Sequence, residues 1–223
     1  HPQVDLLRGR LNCLVSAGGG TSRTTGSIRP VASAPPRPAP ALAADPRSDV
    51  LVRLAASQRV TRAQHFNGPG MLAHFQIFGL VTAGRDTGNR SFEHRQLAEH
   101  LRFATRALAA AGVHRIRIQL TCLEDASRPI IERVRAELAG LPGVAVHEDP
   151  DRTTGRGYYT GICFKVSAAA EDQHLEVADG GFVDWSQLLT GNRKERLLIS
   201  GFGVDRLTEA LTSPPDTAQP SPR

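Results

Sequence analysis

The stretch GRGYYTGICFKV, residues 155–166, decides how the rest of the chain is read. Its second half is a short, nearly continuous apolar run, and two glycines precede it, so it reads as a strand covered on at least one side and entered from a turn. It also holds both tyrosines of a 223-residue chain, side by side as Tyr158 and Tyr159. Two readings stay open for the pair. Either both line a small-molecule cleft, or one packs inward and one outward, because neighbouring residues of a strand face opposite ways.

Working outward, more strands than helices appear. DVLVRLAAS (49–57) and HFQIFGLVT (74–82) read as strands, as do HRIRIQLTC, GVAVHE, HLEVADGGFV and RLLISGFGV. Between the second and third, Leu97, Leu101, Ala104, Leu108 and Ala111 recur at helical spacing, with Ser91 as the expected N-cap and Gly112 as the stop. A second helix opens at Ser127 with Pro129 in its first turn and carries Ile130, Val134 and Leu138 as its buried stripe. Long runs of strand with few strand–helix–strand alternations predict an α+β domain, a mostly antiparallel sheet with helices on one face.

The ends read differently. SAGGGTSRTTGS and ASAPPRPAPALAADPRSD are rich in Gly, Ser and Pro, which predicts an irregular segment over 1–26 and a Pro-rich loop near 34–49. TSPPDTAQPSPR predicts a disordered tail over 212–223, leaving 27–211 as the domain.

The formal net charge is +5, but nine arginines fall in residues 1–70 against three aspartates, leaving 18 basic and 19 acidic residues beyond. With no aromatic before Phe66 to stack on bases, this scattered excess argues against nucleic acid as the partner. No run of eighteen apolar residues and no leader-like start is present, so the sequence predicts no membrane span and a cytoplasmic chain. Cys13, Cys122 and Cys163 have no paired spacing and read as inert buried thiols. His94, Glu99 and His100 lack the i, i+4 histidine spacing of a zinc helix and read as solvated helix residues. SGFGVDRL (200–207) is a strand end with alternate glycines, which leaves one face bare for a flat ligand, and Arg206 just beyond it offers a planar fork of donors to a phosphate.

Five fragments in this order resemble the catalytic domain of class II aminoacyl-tRNA synthetases, in particular the histidyl branch that includes the regulatory subunit of ATP phosphoribosyltransferase. SIRP resembles the Leu-Arg-Pro-Glu segment, and LAASQRVTR with HFQIFGLV resembles the motif 2 strand pair. GRGYYTGICFKV resembles the amino-acid pocket motif, ADGGFVD the Gly-Gly-Arg-Tyr-Asp turn, and GFGVDRL motif 3. The resemblance covers about residues 27–208. It implies ATP as substrate with Mg2+, Arg62 on the α-phosphate and Arg206 on the outer phosphates. Gln64, Phe75, Gly201 and Gly203 would border the nucleotide, and Arg29, Tyr158, Tyr159, Gly161, Gly180 and Gly181 a pocket for an amino acid or related carboxylate.

Departures fall on the residues that do the family's chemistry. The motif 2 carboxylate becomes Gln64, and the acidic residues that help hold a substrate ammonium become Val31 and Val81, which cannot pair with a cation. At the tyrosine motif the expected Arg and Asp map onto Thr154 and Gly157, with Arg152 and Arg156 nearby. Motif 1 has no clear counterpart and no anticodon-binding domain follows Leu211, which puts the family's dimer in doubt. The resemblance therefore implies activation of an amino acid or related carboxylate as an adenylate for an acceptor other than histidine tRNA, including a protein. The alternative is a non-catalytic regulatory or scaffolding relative.

Overall fold

The computed structural model describes residues 48–61, 74–170 and 173–212. These form one seven-stranded sheet in the order β1-β2-β7-β6-β5-β3-β4. The strands are β1 (Val52–Thr61), β2 (His74–Arg85), β3 (Ile116–Cys122), β4 (Val144–Glu148), β5 (Thr160–Ala170), β6 (Gln173–Val183) and β7 (Glu195–Gly203). All neighbours are antiparallel except β3 and β4, which run parallel. That exception follows from the connection, since a parallel neighbour needs a crossover and the chain supplies a helix there. The helices are α1 (Ser91–Ala110), α2 (Arg128–Leu138), α3 (Trp185–Thr190) and α4 (Val204–Thr212).

The α+β architecture expected from the strand count is the one observed. Its main core lies between one face of the sheet and the stripes of α1 and α2. Leu97, Leu101 and Leu108 of α1 and Ile131, Val134 and Leu138 of α2 are all but fully buried against Ile118, Leu120, Ile162, Phe164 and Leu198 of the sheet. At about 1.5–3 kcal/mol for each fully buried large apolar side chain, this layer is the main driving force for folding. Phe78 of β2 and Phe202 of β7 extend it, packing on Phe103 of α1 with ring centroids 5.9 Å apart in both pairs.

Two helix starts differ from expectation. Ser91 is the first residue of α1 rather than its cap. Arg90 holds the cap position with φ 52, and Asn89 before it has the same left-handed φ. The turn is fastened instead by Asp86, whose Oδ1 accepts the Ser91 hydroxyl at 3.3 Å and the Phe92 amide at 3.4 Å. Ser127 does sit at the cap of α2, but its hydroxyl makes no capping bond.

His100 is a correction of a different kind. It is 4% exposed, not solvated, because it points from α1 into the sheet. There its Nε2 lies 2.9 Å from the Thr82 hydroxyl and its Nδ1 2.6 Å from the Ser200 hydroxyl, joining β2 and β7 to α1. Burial lowers its pKa to about 4, so the ring is neutral at physiological pH and donates through one nitrogen while accepting through the other. His94 pairs with Glu137 on α2 at 2.9 Å.

Candidate functional site on the bare face of the sheet

Strand alternation fixes what the opposite face presents. Phe78, Thr82, Leu198, Ser200 and Phe202 point to the helices, so Phe75, Ile77, Gly79 and Val81 of β2 and Ile199, Gly201 and Gly203 of β7 point away from them. Gly79, Gly201 and Asp179 lie at one level across β2, β7 and β6, so two of three neighbouring positions carry no side chain. A methyl group added at Gly201 would stand 3.0 Å from Ile77 Cδ1, so this floor is already close-packed without one.

Arg206, in the first turn of α4, lies on this face. Its Cβ, Cγ and Cδ pass 3.6–3.7 Å from where a Cβ of Gly203 would be, so the arginine stem lies over this glycine at ordinary contact distance. The guanidinium donates through Nη1 to the Glu176 carbonyl at 3.3 Å, and the Glu176 carboxylate stands 3.9 Å away. Glu176 also pairs with Lys165 at 2.8 Å. The preceding Asp205 accepts the Gln76 amide at 2.5 Å, which pins the start of α4 to β2.

Beside this row stands a network that the sequence did not disclose. Tyr159 donates its hydroxyl to Asp179 Oδ1 at 2.5 Å, and Arg152 donates from Nη2 to Asp179 Oδ2 at 2.6 Å. Arg152 is itself buried, with Nε on the Thr154 carbonyl at 2.8 Å, and its guanidinium carbon lies 5.8 Å from the centre of the Tyr159 ring. Burial, with Asp179 alongside, pushes the Tyr159 phenol well above its usual value, so it remains a donor. Burial also pushes the Asp179 carboxyl up, against the pull of Tyr159 and Arg152. About a third of the Asp179 side chain still reaches solvent. An isolated aspartate inside a strand pattern, ADGG, was the available signal, since strands disfavour Asp.

The tyrosine pair has one ring inward and one outward, as the second reading has it, but strand alternation is not the reason. The two residues precede β5 and sit in a turn, where both their amides donate to the Gly155 carbonyl. Outside an extended strand, alternation does not apply. The rings therefore meet edge to face at 4.8 Å, Tyr158 exposed and packed on Trp185 at 5.7 Å, Tyr159 partly buried over Gly181. A methyl group at Gly181 would come within 2.6 Å of the Tyr159 ring, so this glycine admits the tyrosine.

Other expected site residues are placed elsewhere. Gly180 faces the helices, where an added Cβ would stand 2.5 Å from Phe164 Cζ and 2.6 Å from the Ile199 carbonyl, so it serves packing and lines no acid pocket. Gly161, with φ 63 at an irregularity of the β5–β6 pairing, looks toward Ser127 and Arg90. Arg62, Gln64, Arg29 and Cys13 lie outside the described residues, as do residues 34–47 of the expected loop and 213–223 of the expected tail, whose first residue, Thr212, ends α4. Thr61, the last described residue of β1, pairs with His74 at the same end of the sheet as the Ile77–Gly203 pair. Val81 belongs to a small second core with Ala83, Val183 and Leu197, against which Val52, Leu54, Tyr159, Trp185 and Ile199 pack.

Among the described residues no three of His, Cys, Asp and Glu gather in a way that would hold a metal ion. Mg2+ ordinarily keeps several waters and one or two carboxylates beside substrate phosphates, so Glu176 next to Arg206 is the carboxylate of this face that fits such an ion. Cys163 is buried and burial raises its pKa, in keeping with an inert thiol, whereas Cys122 is only partly buried and donates to the Glu124 carbonyl at 3.0 Å. Among the described residues no helix is long and apolar enough to cross a membrane.

No family model matches the sequence, and no curated protein matches it. Solved structures do match in fold. Apo histidyl-tRNA synthetase of S. aureus superposes with a TM-score of 0.59 at 19% identity, over 77% of this chain and 46% of that one. A domain of threonyl-tRNA synthetase from Cryptosporidium parvum, described as RNA-binding, gives 0.54 at 12% identity over 72% and 43%. An ATP phosphoribosyltransferase regulatory subunit/histidyl-tRNA synthetase from Bacillus halodurans gives 0.50 at 18% identity over 73% and 59%. The chain thus spans about half the length of the structures it matches. What it shares with the histidyl-tRNA synthetases and their regulatory relatives is the class II synthetase-like fold.

Proposed function

We propose that the chain binds ATP across the bare face of its sheet and activates an amino acid there as an adenylate, for an acceptor other than histidine tRNA. The observation that carries this reading is the position of Arg206, laid over Gly203 on the glycine floor with its fork on the same face as Asp179. In this reading Arg206 takes the outer phosphates and Arg62 the α-phosphate, arginine suiting both because its fork matches phosphate oxygens. Phe75, on the same face, borders the base. The carboxylate oxygen of the acid attacks the α-phosphorus, the bond to the β-phosphate oxygen breaks, and pyrophosphate leaves. Guanidinium groups held in advance stabilise the charge that develops.

Asp179 replaces the carboxylates lost at Val31 and Val81 as the acceptor for the acid's ammonium. Tyr159 and Arg152 orient it, each using one oxygen and leaving lone pairs for a ligand. Mg2+ would be shared by the phosphates and Glu176, and would neutralise phosphate charge. The acceptor of the activated acid is a small molecule or protein nucleophile.

One observation favours a second reading. Glu176 already engages the Arg206 fork, as expected of a site that senses a ligand without turnover, in a regulatory or scaffolding protein. Amino-acid-dependent exchange of labelled pyrophosphate into ATP, screened over all common amino acids, separates the two. Exchange with one acid supports activation. ATP binding by calorimetry without exchange selects the regulatory reading, and neither binding nor exchange overturns both.

A further inference from the structure

We propose that a second cleft, at the start of α1, binds a small zwitterion that carries both an ammonium and a carboxylate, such as a free α-amino acid. The cleft encloses about 410 Å³, within the range of small-ligand pockets, and its walls include Arg90, Glu93, Gly161, Asp184, Gln187 and Arg196. Arg206, Asp179, Tyr159 and Gly201 do not line it, although Val183 and Leu197 of the second core do, so it is a different cleft from the one that Arg206 and Asp179 border and the inference does not depend on ATP binding there.

Its centre is a prepared carboxylate. Glu93 is 3% exposed, and its Oε1 accepts Arg196 Nε at 2.9 Å and Arg90 Nε at 3.2 Å. Its Oε2 is buried and accepts nothing from the described residues. A carboxylate held by two guanidiniums on one oxygen keeps an unused acceptor on the other, a state that is costly to leave unfilled. A ligand ammonium supplies the missing donor.

The complementary half is Arg90. Its Nε is spent on Glu93, while its Nη atoms make no bond with the described protein, and Nη2 hangs 3.2 Å from where a Cβ of Gly161 would stand. Any side chain at 161 would occupy that space, and φ 63 there already favours glycine. The free edge of the guanidinium is a fork for a carboxylate. Asp184, whose side chain makes no capping bond at α3, adds a second acceptor on the ammonium side, and Gln187 one turn on adds an amide. Two guanidiniums against Glu93, Asp184 and Glu124 leave the walls close to neutral, which suits a ligand carrying both signs rather than a bare anion or a polycation. The left-handed backbone at Asn89 and Arg90 is what turns the arginine inward from the helix start.

The test uses the full chain without nucleotide, titrated with each common amino acid by ligand-observed NMR and calorimetry. At least one binds at millimolar concentration or tighter. N-acetylation of that ligand, or conversion of its carboxylate to an amide, weakens it at least about tenfold, as loss of a charge-assisted bond requires. Asp184→Asn and Arg90→Gln weaken it similarly. Asp184→Asn removes no bond of the fold and leaves the melting temperature in place, so its effect is readable even if Glu93→Gln fails to fold. Absence of binding by every amino acid overturns the proposal. Binding that survives both variants and disappears in Asp179→Asn also overturns it, by putting the ligand on the nucleotide face.

Discussion

Replacing Arg206 by alanine separates a phosphate-binding arginine from a structural one, because the structure limits what the side chain contributes to the fold. Among the described residues its one hydrogen bond is long, 3.3 Å, its ion pair longer, 3.9 Å, and a third of the side chain is in solvent. A partly exposed pair of that kind is worth about 0–1 kcal/mol, and a long, partly exposed bond from a guanidinium to a carbonyl about 1.5 kcal/mol, the low end of the charge-assisted range. For a chain of this size each kcal/mol moves the melting temperature by about 2–4 °C, so Arg206→Ala should melt no more than about 10 °C lower. Against ATP the loss is larger. A charge-assisted bond to phosphate contributes about 1.5–3 kcal/mol, so the dissociation constant should rise about 10- to 150-fold. Arg206→Lys keeps the charge without the fork and should fall between. Glu176→Gln, which removes the competing charge from the fork, should bind ATP at least as tightly as the native chain. Calorimetric titration at fixed salt, paired with thermal melts, reads all four proteins. If folded Arg206→Ala binds ATP within about twofold of native, under 0.5 kcal/mol, the bare face is not where phosphates sit and the functional reading loses its footing.

His100 makes stability depend on acid. Its pKa is about 4 in the fold and 6.5 in the unfolded chain, so between those values the unfolded state holds more protons and stability falls as pH falls. Over 2.5 units the loss reaches about 3 kcal/mol by pH 4, at 1.36 kcal/mol per unit, and is absent above pH 7. Urea titrations across pH should show this slope in the native chain and a flatter one in His100→Gln. Tyr159→Phe removes the donor to the Asp179 carboxylate and should cost about 1.5–3 kcal/mol of stability by denaturant titration. Gly180→Ala drives a methyl group into Phe164 and a backbone carbonyl and should cost at least about 1–3 kcal/mol, with no change in ATP affinity in whatever fraction folds.

The layers of the fold were legible because they rest on periodicity. The α1 stripe from Leu97 to Leu108 and the strand alternation from Ile116 to Leu120 both point inward in the structure as their spacing requires. The continuous apolar run in β2 also made sense once both its faces were covered, Phe78 and Leu80 toward the main core and Val81 and Ala83 in the second. What was not legible is pairing across the chain. Asp179 gains its meaning from Tyr159 and Arg152, 20 and 27 residues away, and Glu93 from Arg196, 103 residues away. His100 read as a surface residue because nothing local announces hydroxyls at Thr82 and Ser200. Gly180 and Gly181 are indistinguishable as letters, yet pleating sends one to Phe164 and the other to Tyr159.

In the proposed reading, a carboxylate on β6 in place of one on β2 constrains what acid would be taken. Val81 lies opposite Ile199, and Asp179 opposite Gly201, with β7 between the two strands. Two strand spacings and a two-residue offset separate the positions, about 10 Å across and about 7 Å along the sheet. An ammonium held by Asp179 is thus displaced by more than the length of an amino-acid backbone from one held at position 81, and it lies closer to Gly203 and Arg206. The space it vacates is not polar. Val81, Val183 and Leu197 pack there with Val52, Leu54 and Ile199, and no group among them satisfies an imidazole nitrogen. A site that leaves a substrate's polar atoms unpaired rejects that substrate strongly, so in the pyrophosphate-exchange screen histidine should support exchange no faster than the amino-acid-free control. Acids with small or apolar side chains should account for any activity. Exchange with histidine as fast as with the best other acid would mean that its ammonium and ring find partners despite Val81, and the relocation to Asp179 would be refuted.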